Sequence, residues 1–349
     1  MMRDIEDVTC SWMAEVLGTS PEARLEKVGI GEGQVARCFR VTLRGDDSQE
    51  SYIVKLPSAD EVSRSTATAQ RLYVRETSFY KDLADRVATR TPICYYVDHN
   101  EHDEFLLILE DLSPASSVDQ FAGLSIEQAR EGLRQLAYLH SATLHDHELH
   151  RAEWLAGYAL DVQPIVRNVL SGLFDQFLER YDEVIDDEVR QTVIQLRELL
   201  PAYSDYQTPH PAVQHGDFRT DNLLFDACDG QIPLAVVDWQ TVAVGSPLLD
   251  VAYFLVTSLS ADDCAAHEDD LLAFYLERMS DLGTAVDAEV ARREFARYTL
   301  QPIVMLVAAS VIVARTERGD RMFLSMIRRG VTATARWGGL KELGLRVTS

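Results

Sequence analysis

Lysine is nearly absent from this chain: Lys27, Lys55, Lys81 and Lys341 are the only four in 349 residues, so positive charge rests almost wholly on arginine. Codon usage accounts for a general exchange of lysine for arginine, and each lysine that remains invites a reading of its own. Positive charge is itself scarce, with 33 Lys and Arg against 56 Asp and Glu and a formal net charge of −23. A surface of that sign repels nucleic acid and anionic lipid, so neither is expected as a partner, whereas a cationic or neutral small molecule is compatible with it. Cys10, Cys38, Cys94, Cys228 and Cys264 are scattered, odd in number and without a close pair. That spacing excludes a disulfide framework and a zinc motif and points to the reducing cytoplasm. The amino terminus lacks the apolar core of a secretory signal. The strongest apolar run, Ile303 to Ala314, falls short of the ~20 residues that cross a bilayer, and with Pro302 at its start it reads as a buried helix. Internal repeats and low-complexity linkers are missing too, while the length admits two lobes with a sizeable core.

What the chain does have is, first, a series of short β-like runs. Leu25 to Gly29, Arg37 to Leu43, Tyr52 to Leu56, Cys94 to Val97 and Phe105 to Leu109 read as five strands, with a turn at Gly45-Asp46-Asp47-Ser48. Gly29-Ile30-Gly31-Glu32-Gly33 lies between the first two. Glycines there, Gly31 and Gly33 in particular, would let backbone amides approach phosphate oxygens, although a plain turn has the same composition.

Lys55 sits in the apolar run Ile53-Val54-Lys55-Leu56, where an unpaired ammonium would be costly. A partner is available in Glu76. Leu72, Phe79, Tyr80, Leu83 and Val87 form a helical stripe over 72–87, and Glu76 falls on the same inward face. The alternative is that Lys55 snorkels to solvent and Glu76 only flanks the stripe.

Glu110-Asp111-Leu112-Ser113-Pro114 ends strand character and serves as a hinge between an amino-terminal lobe, 1–112, and a carboxy-terminal lobe, 113–349. Beyond it the periodicity is helical. Ser125 with Gln128 resembles a capping box before the run Leu133, Leu136, Ala137, Leu139, His140. Helical period continues from Ile165 to Leu200, with Phe174, Phe177 and Tyr181 on one face, and resumes over Asp262 to Leu282, Asp287 to Tyr298 and Ile303 to Arg318. His140, His145, His147 and His150 tempt a metal reading, but their spacing matches no strong metal motif and helix-end polarity explains them.

Residues 215 to 222 read His-Gly-Asp-Phe-Arg-Thr-Asp-Asn, and Asp238 ends the apolar run Leu234-Ala235-Val236-Val237. Val213-Gln214 leads into this loop as a short strand, and a small hairpin turning at Asp226 to Gly230 separates Asn222 from Asp238. An Asp at one end of such a loop can accept a proton from an attacking hydroxyl. An Asn five residues on and an Asp at the tip of a following strand supply oxygen ligands suited to Mg²⁺. His215 would hold the loop by packing and hydrogen bonding. Arg219 either offsets charge near a transferred phosphate or is an exposed loop arginine.

This pattern resembles the His-x-Asp-x-x-x-x-Asn catalytic loop and metal-binding Asp of eukaryotic-like kinases. The Gly at its second position points to the small-molecule branch. The run Asp238-Trp239-Gln240 with Gly245-Ser246-Pro247-Leu248-Leu249-Asp250-Val251-Ala252-Tyr253 resembles the aminoglycoside phosphotransferase and choline kinase superfamily, closest to its ecdysteroid-kinase-like members. The resemblance implies a bilobal, protein-kinase-like α+β fold: a five-stranded antiparallel sheet with one main helix, then a larger, mostly helical lobe. It implies Asp217 as catalytic base and Arg219 beside it, Asn222 and Asp238 as Mg²⁺ ligands, and the glycine loop and the Lys55–Glu76 pair on the phosphates of ATP. Adenine would be held at the hinge by Glu110 and Leu112. Asp250 becomes a buried acid bracing the catalytic loop, a helix N-terminal acid being an equal account of it. No long activation loop fits between Asp238 and Asp250, so regulation by loop phosphorylation is not expected.

The expected function is therefore transfer of phosphate from Mg·ATP to a hydroxyl of a small molecule. The acceptor is an amino sugar, amino alcohol, sterol, macrolide or hydroxyacyl thioester, the larger ones suited by Trp154, Tyr158, Phe174, Phe177 and Tyr181. The alternative from another class is a nucleotide-binding pseudokinase, which has no need of Asp217, Asn222 and Asp238 together.

Overall fold

The computed structural model describes residues 4–19, 22–32, 35–46, 48–100, 104–155, 163–313 and 315–344. Gly33 and Tyr158 lie outside the described residues. The chain forms two compact units, Met1–Ser116 with Phe225–Val242, and Ser117–Leu224 with Ala243–Ser349. A single cut after Leu112 does not describe this division. Backbone hydrogen bonds join Ser116 to Phe225 in both directions, and Val236 N–H reaches Arg90 O at 2.8 Å. The segment bearing Asp238 is thereby part of the first unit.

The first unit is built on a five-stranded antiparallel sheet of β1 (Arg24–Glu32), β2 (Ala36–Arg44), β3 (Gln49–Pro57), β4 (Cys94–His99) and β5 (Phe105–Glu110), in the order β1-β2-β3-β5-β4. Side chains alternate across a strand, so Val54 and Leu56 go to one face and Lys55 to the other. On the first face Val41, Leu43, Val54, Leu56, Leu106 and Ile108 meet Ile5, Val8 and Met13 of the amino-terminal segment. That segment contains a helix, Cys10–Leu17, capped by the Thr9 hydroxyl on Trp12 N–H and ended by Gly18 in the left-handed conformation.

A further helix, Leu72–Ser78, carries Glu76 and packs Tyr73 on Phe105, the rings stacked at 4.5 Å. The expected single helix over 72–87 differs from what forms. After Ser78 the chain makes a π-turn, Phe79–Leu83, and a 3₁₀ turn, Ala84–Arg86. The wider turn accompanies a face-to-face stack of Phe79 on Trp239, with centroids 3.8 Å apart and planes 6° from parallel.

In the second unit, Ser125 caps Ile126–Thr143 with the reciprocal Gln128 bond of a capping box. The central helix, Pro247–Ser258, is buried on nearly all sides, which its almost uniformly apolar sequence permits. Gly132 makes this packing possible: a Cβ there would lie 2.4 Å from the Phe254 ring. Two expected helices divide in the structure. Over 165–200 the chain forms Gln163–Arg180 and Asp187–Ser204, the second started by the Asp186 carboxylate on Val189 N–H at 2.9 Å. Over 303–318 a helix Gln301–Ile312 stops, and Thr316 caps a new one, Glu317–Trp337. In both cases a side-chain oxygen three residues ahead of an amide outcompetes continuation of an apolar period.

Phe174, Phe177 and Tyr181 are exposed by 1% or less and belong to the interior rather than to a substrate surface. By length and composition Ala288–Ile312 passes for a membrane span, yet 72% of its apolar window is buried inside the protein, as in a core helix.

Candidate active site

In the first unit the alternation of β3 delivers Lys55 to the face covered by Leu72–Ser78. Its Nζ lies 2.7 Å from Glu76 Oε1 and 2.8 Å from Asp238 Oδ1. The three side chains carry two negative charges and one positive, at 9%, 2% and 30% side-chain exposure for Lys55, Glu76 and Asp238. Burial opposes the Lys55 charge, but Asp238 and Glu76 more than offset it and hold the ammonium well above its ordinary range. Burial pushes the Glu76 carboxyl up, against the lowering by Lys55 and by the Trp239 amide. The two directions agree physically, since one cation shared between two acids is held tightly while the more buried acid is under-compensated.

Asp238 adopts a left-handed backbone, φ 67° and ψ 67°. Its second oxygen, Oδ2, accepts from Gln240 Nε2 at 3.1 Å. The segment is fixed by Trp239, whose indole N–H donates to Val236 O at 3.2 Å, and by Arg75, which donates to Val242 O at 2.6 Å. Trp239 and Gln240 enter the sequence reading only as part of a motif, and Arg75 does not enter it. Of the expected nucleotide residues, Gly31 is in β1, opposite Cys38 and next to a register shift at Gly29/Gly31. The Glu110 carboxylate is taken by Arg90 Nη2 at 2.7 and 2.6 Å and by Ile93 N–H at 3.0 Å. The Glu110 amide is engaged too, donating to Ile93 O at 2.8 Å. Leu112 is buried, and its carbonyl accepts from Ala115 N–H at 3.0 Å. Asp111, between them, anchors the segment to the sheet through Arg40, at 2.7 and 3.2 Å.

In the second unit a strand pair, Ala212–Gln214 with Ala243–Gly245, leads into the loop at His215. Gly216 has φ +83°, a conformation that an L side chain would strain. Asp250, at the first turn of Pro247–Ser258, is fully buried and accepts from His215 N–H at 2.6 Å and Gly216 N–H at 2.9 Å. It is thus both a helix N-terminal acid and the brace of the loop. His140 approaches the same carboxylate through Nε2 at 3.3 Å, with Nδ1 2.9 Å from the Tyr275 hydroxyl. His150 Nε2 lies 2.7 Å from Thr143 O. Among the described residues no group of three or more His, Cys, Asp or Glu is arranged to hold a metal.

Asp217 N–H donates to His215 Nδ1 at 3.3 Å, so this histidine holds the loop by its ring. The Asp217 carboxylate accepts from Arg219 Nε at 3.1 and 3.3 Å, from Asn222 Nδ2 at 3.0 Å and from the Tyr253 hydroxyl at 3.1 Å. Arg219 also pairs with Asp221 through Nη1 and is only 22% exposed, which answers the reading of it as a free loop arginine. Burial works against its charge, but Asp217 and Asp221 carry the guanidinium above its ordinary value. Asn222 donates as well to Asp217 O at 2.8 Å. With its amide nitrogen engaged, its oxygen takes no donor among the described residues. Tyr253 on Asp217 was not expected, although it lies one helical turn from Asp250 and so shares its face.

The sequence profile of the ecdysteroid kinase-like family matches residues 31–287. The chain belongs to the ecdysteroid kinase-like family. Solved structures share the fold of this ecdysteroid kinase-like chain. A protein of Ralstonia eutropha JMP134 assigned as an aminoglycoside phosphotransferase is 16% identical over 97% of this chain and 99% of its own, with a TM-score of 0.58. The GDP and kanamycin complex of APH(2″)-IIIa is 18% identical, covers 94% and 99% of the two chains, and has a TM-score of 0.53. Among curated relatives, a probable acyl-CoA dehydrogenase of Arabidopsis thaliana, IBR3, is 22% identical over 64% of this chain and 27% of its own. Acyl-CoA dehydrogenase family member 11 of Gallus gallus is 48% identical over 12% of this chain and 5% of its own. The chain therefore spans only a small part of the curated relatives it matches.

Proposed function

We propose that the protein transfers the γ-phosphoryl group of Mg·ATP to a hydroxyl of a small molecule, with Asp217 as the general base. The observation that carries this reading is the state of Asp217: an acid on a braced loop, with a buried tyrosine and asparagine directing its oxygens. Asp217 orients the acceptor hydroxyl and takes its proton as the oxygen attacks phosphorus. Lys55, kept charged by Glu76 and Asp238, binds the nucleotide phosphates, and Gly31 brings a backbone amide to them. The hinge backbone at Glu110 and Leu112 receives the adenine. Arg219 offsets charge on the transferred group.

The donor set suits magnesium. Asp238 is an anionic oxygen ligand in a triad with an excess of one negative charge, and Asn222 has an amide oxygen to give. When bound, the ion would neutralise charge on the phosphate oxygens. The reading is supported by family membership and by the nucleotide in the APH(2″)-IIIa complex.

The acidic composition favours a cationic or neutral acceptor. The two matches to proteins named acyl-CoA dehydrogenases bring hydroxyacyl thioesters onto the same panel. Five free thiols accord with a reducing cytoplasmic setting. Screening amino sugars, amino alcohols, sterols, macrolides and hydroxyacyl thioesters for acceptor-dependent ADP release tests the proposal. At least one class should stimulate release in the presence of magnesium, and stimulation by none would contradict it.

A further inference from the structure

Asp217 is held by three donors of different character. A carboxylate offers about four lone-pair positions, so three donors leave little room for a substrate hydroxyl. Two of the three are buried: Tyr253 is 2% exposed and Asn222 6%. The third, Arg219, bridges both oxygens from a partly exposed position and has Asp221 as a second partner. An incoming hydroxyl can therefore displace Arg219, which keeps Asp221, more cheaply than it can displace Tyr253, whose buried hydroxyl would give up its bond to a carboxylate.

Tyr253 also sits on an element that braces the loop. Its helix, Pro247–Ser258, carries Asp250, which accepts the amides of His215 and Gly216 at 2.6 and 2.9 Å. One turn later the same helix presents a hydroxyl to Asp217 Oδ1 at 3.1 Å. The backbone before the acid and one oxygen of the acid are thus both referred to a single buried rod, with Phe254 packed edge-on to Phe218 at 5.1 Å beside them.

We infer that Tyr253 is a positioning residue for the phosphoryl-transfer reaction: it fixes the carboxylate of Asp217 so that Arg219 is the donor the acceptor hydroxyl replaces. The inference rests on the reading of Asp217 as base. A tyrosine that merely satisfied its hydroxyl in the core would stabilise the fold without affecting turnover through Asp217.

The test compares wild type, Tyr253→Phe, Asp217→Asn and the double variant in Mg·ATP hydrolysis with water as acceptor, together with calorimetric ADP affinity. Tyr253→Phe should lower kcat roughly 10- to 100-fold, the range for losing a hydrogen bond to a charged group, while KM for ATP and ADP affinity stay within about twofold. In the Asp217→Asn background the same change should cost less than about twofold, because its effect runs through the acid. Unchanged kcat in Tyr253→Phe, or an equal further loss on top of Asp217→Asn, would overturn the inference and leave the kinase reading standing. Wild-type hydrolysis by Asp217→Asn would remove that reading and this inference with it. Should Tyr253→Phe not fold, 3-fluorotyrosine at position 253 keeps the ring and hydroxyl. A changed kcat at unchanged ADP affinity then supports the inference, and an unchanged kcat overturns it.

Discussion

Lys55 and Glu76, 21 residues apart in the chain, meet at 2.7 Å on the inner face of the sheet. The same ammonium takes Asp238 at 2.8 Å from 183 residues away. Removing it by Lys55→Met leaves two acids facing each other in a site that already pushes Glu76 up. The variant should lose on the order of 3 kcal/mol at neutral pH, as when one member of a buried pair is deleted. The sign with pH follows from the raised Glu76: an acid whose folded value exceeds its unfolded one adds stability below the unfolded value and loses it as pH rises. Urea midpoints at pH 5 and pH 8 check this, with the larger loss expected at pH 8.

Asp250→Ala should be more damaging than its distance from any substrate suggests. Two loop amides and His140 lose their acceptor in a fully buried place, and orphaned buried donors cost about 1–3 kcal/mol each. A stability loss of about 3–5 kcal/mol by chemical denaturation is the expected outcome. A loss below about 1 kcal/mol would show that the brace is dispensable.

The sheet and the Lys55–Glu76 pair were legible because each has a local signature. Strands alternate with period two, and a lone lysine among Ile53, Val54 and Leu56 asks for an anion. Ser125 with Gln128 was equally readable, since a capping box lies within four residues. The breaks at Tyr181–Asp186 and Val313–Thr316 were missed because apolar periodicity runs on through them while the capping oxygens of Asp186 and Thr316 decide. The stack of Phe79 on Trp239 and the Tyr253 hydroxyl on Asp217 join positions far apart in the chain. A single sequence carries no pairing signal for them beyond the one-turn spacing of Asp250 and Tyr253.

Asp238→Ala should abolish magnesium-dependent ATP binding, because an anionic oxygen ligand and one partner of Lys55 disappear together. Titration calorimetry of ATP with and without magnesium checks it. Unchanged Mg·ATP affinity would mean that Asp238 serves Lys55 alone.

Burial pushes the Cys94 and Cys264 thiols up to about 12. The thiolate is the reacting species, so both should resist alkylation at pH 8 until the protein unfolds. Unfolded thiols ionise near their ordinary value of 9.0, so the contribution of these two groups to stability is complete below pH 9 and is lost as pH rises toward 12. Mass-spectrometric mapping of iodoacetamide adducts in native and urea-treated protein would reveal early labelling of either residue, the result that contradicts this account.

The role of Asp217 is tested most directly by Asp217→Asn, which keeps the shape and removes the charge. ADP affinity should stay close to wild type, while acceptor-dependent turnover falls by roughly 10²- to 10⁴-fold, the usual contribution of a general base. Turnover at the wild-type level in a variant that still binds ADP would contradict the assignment.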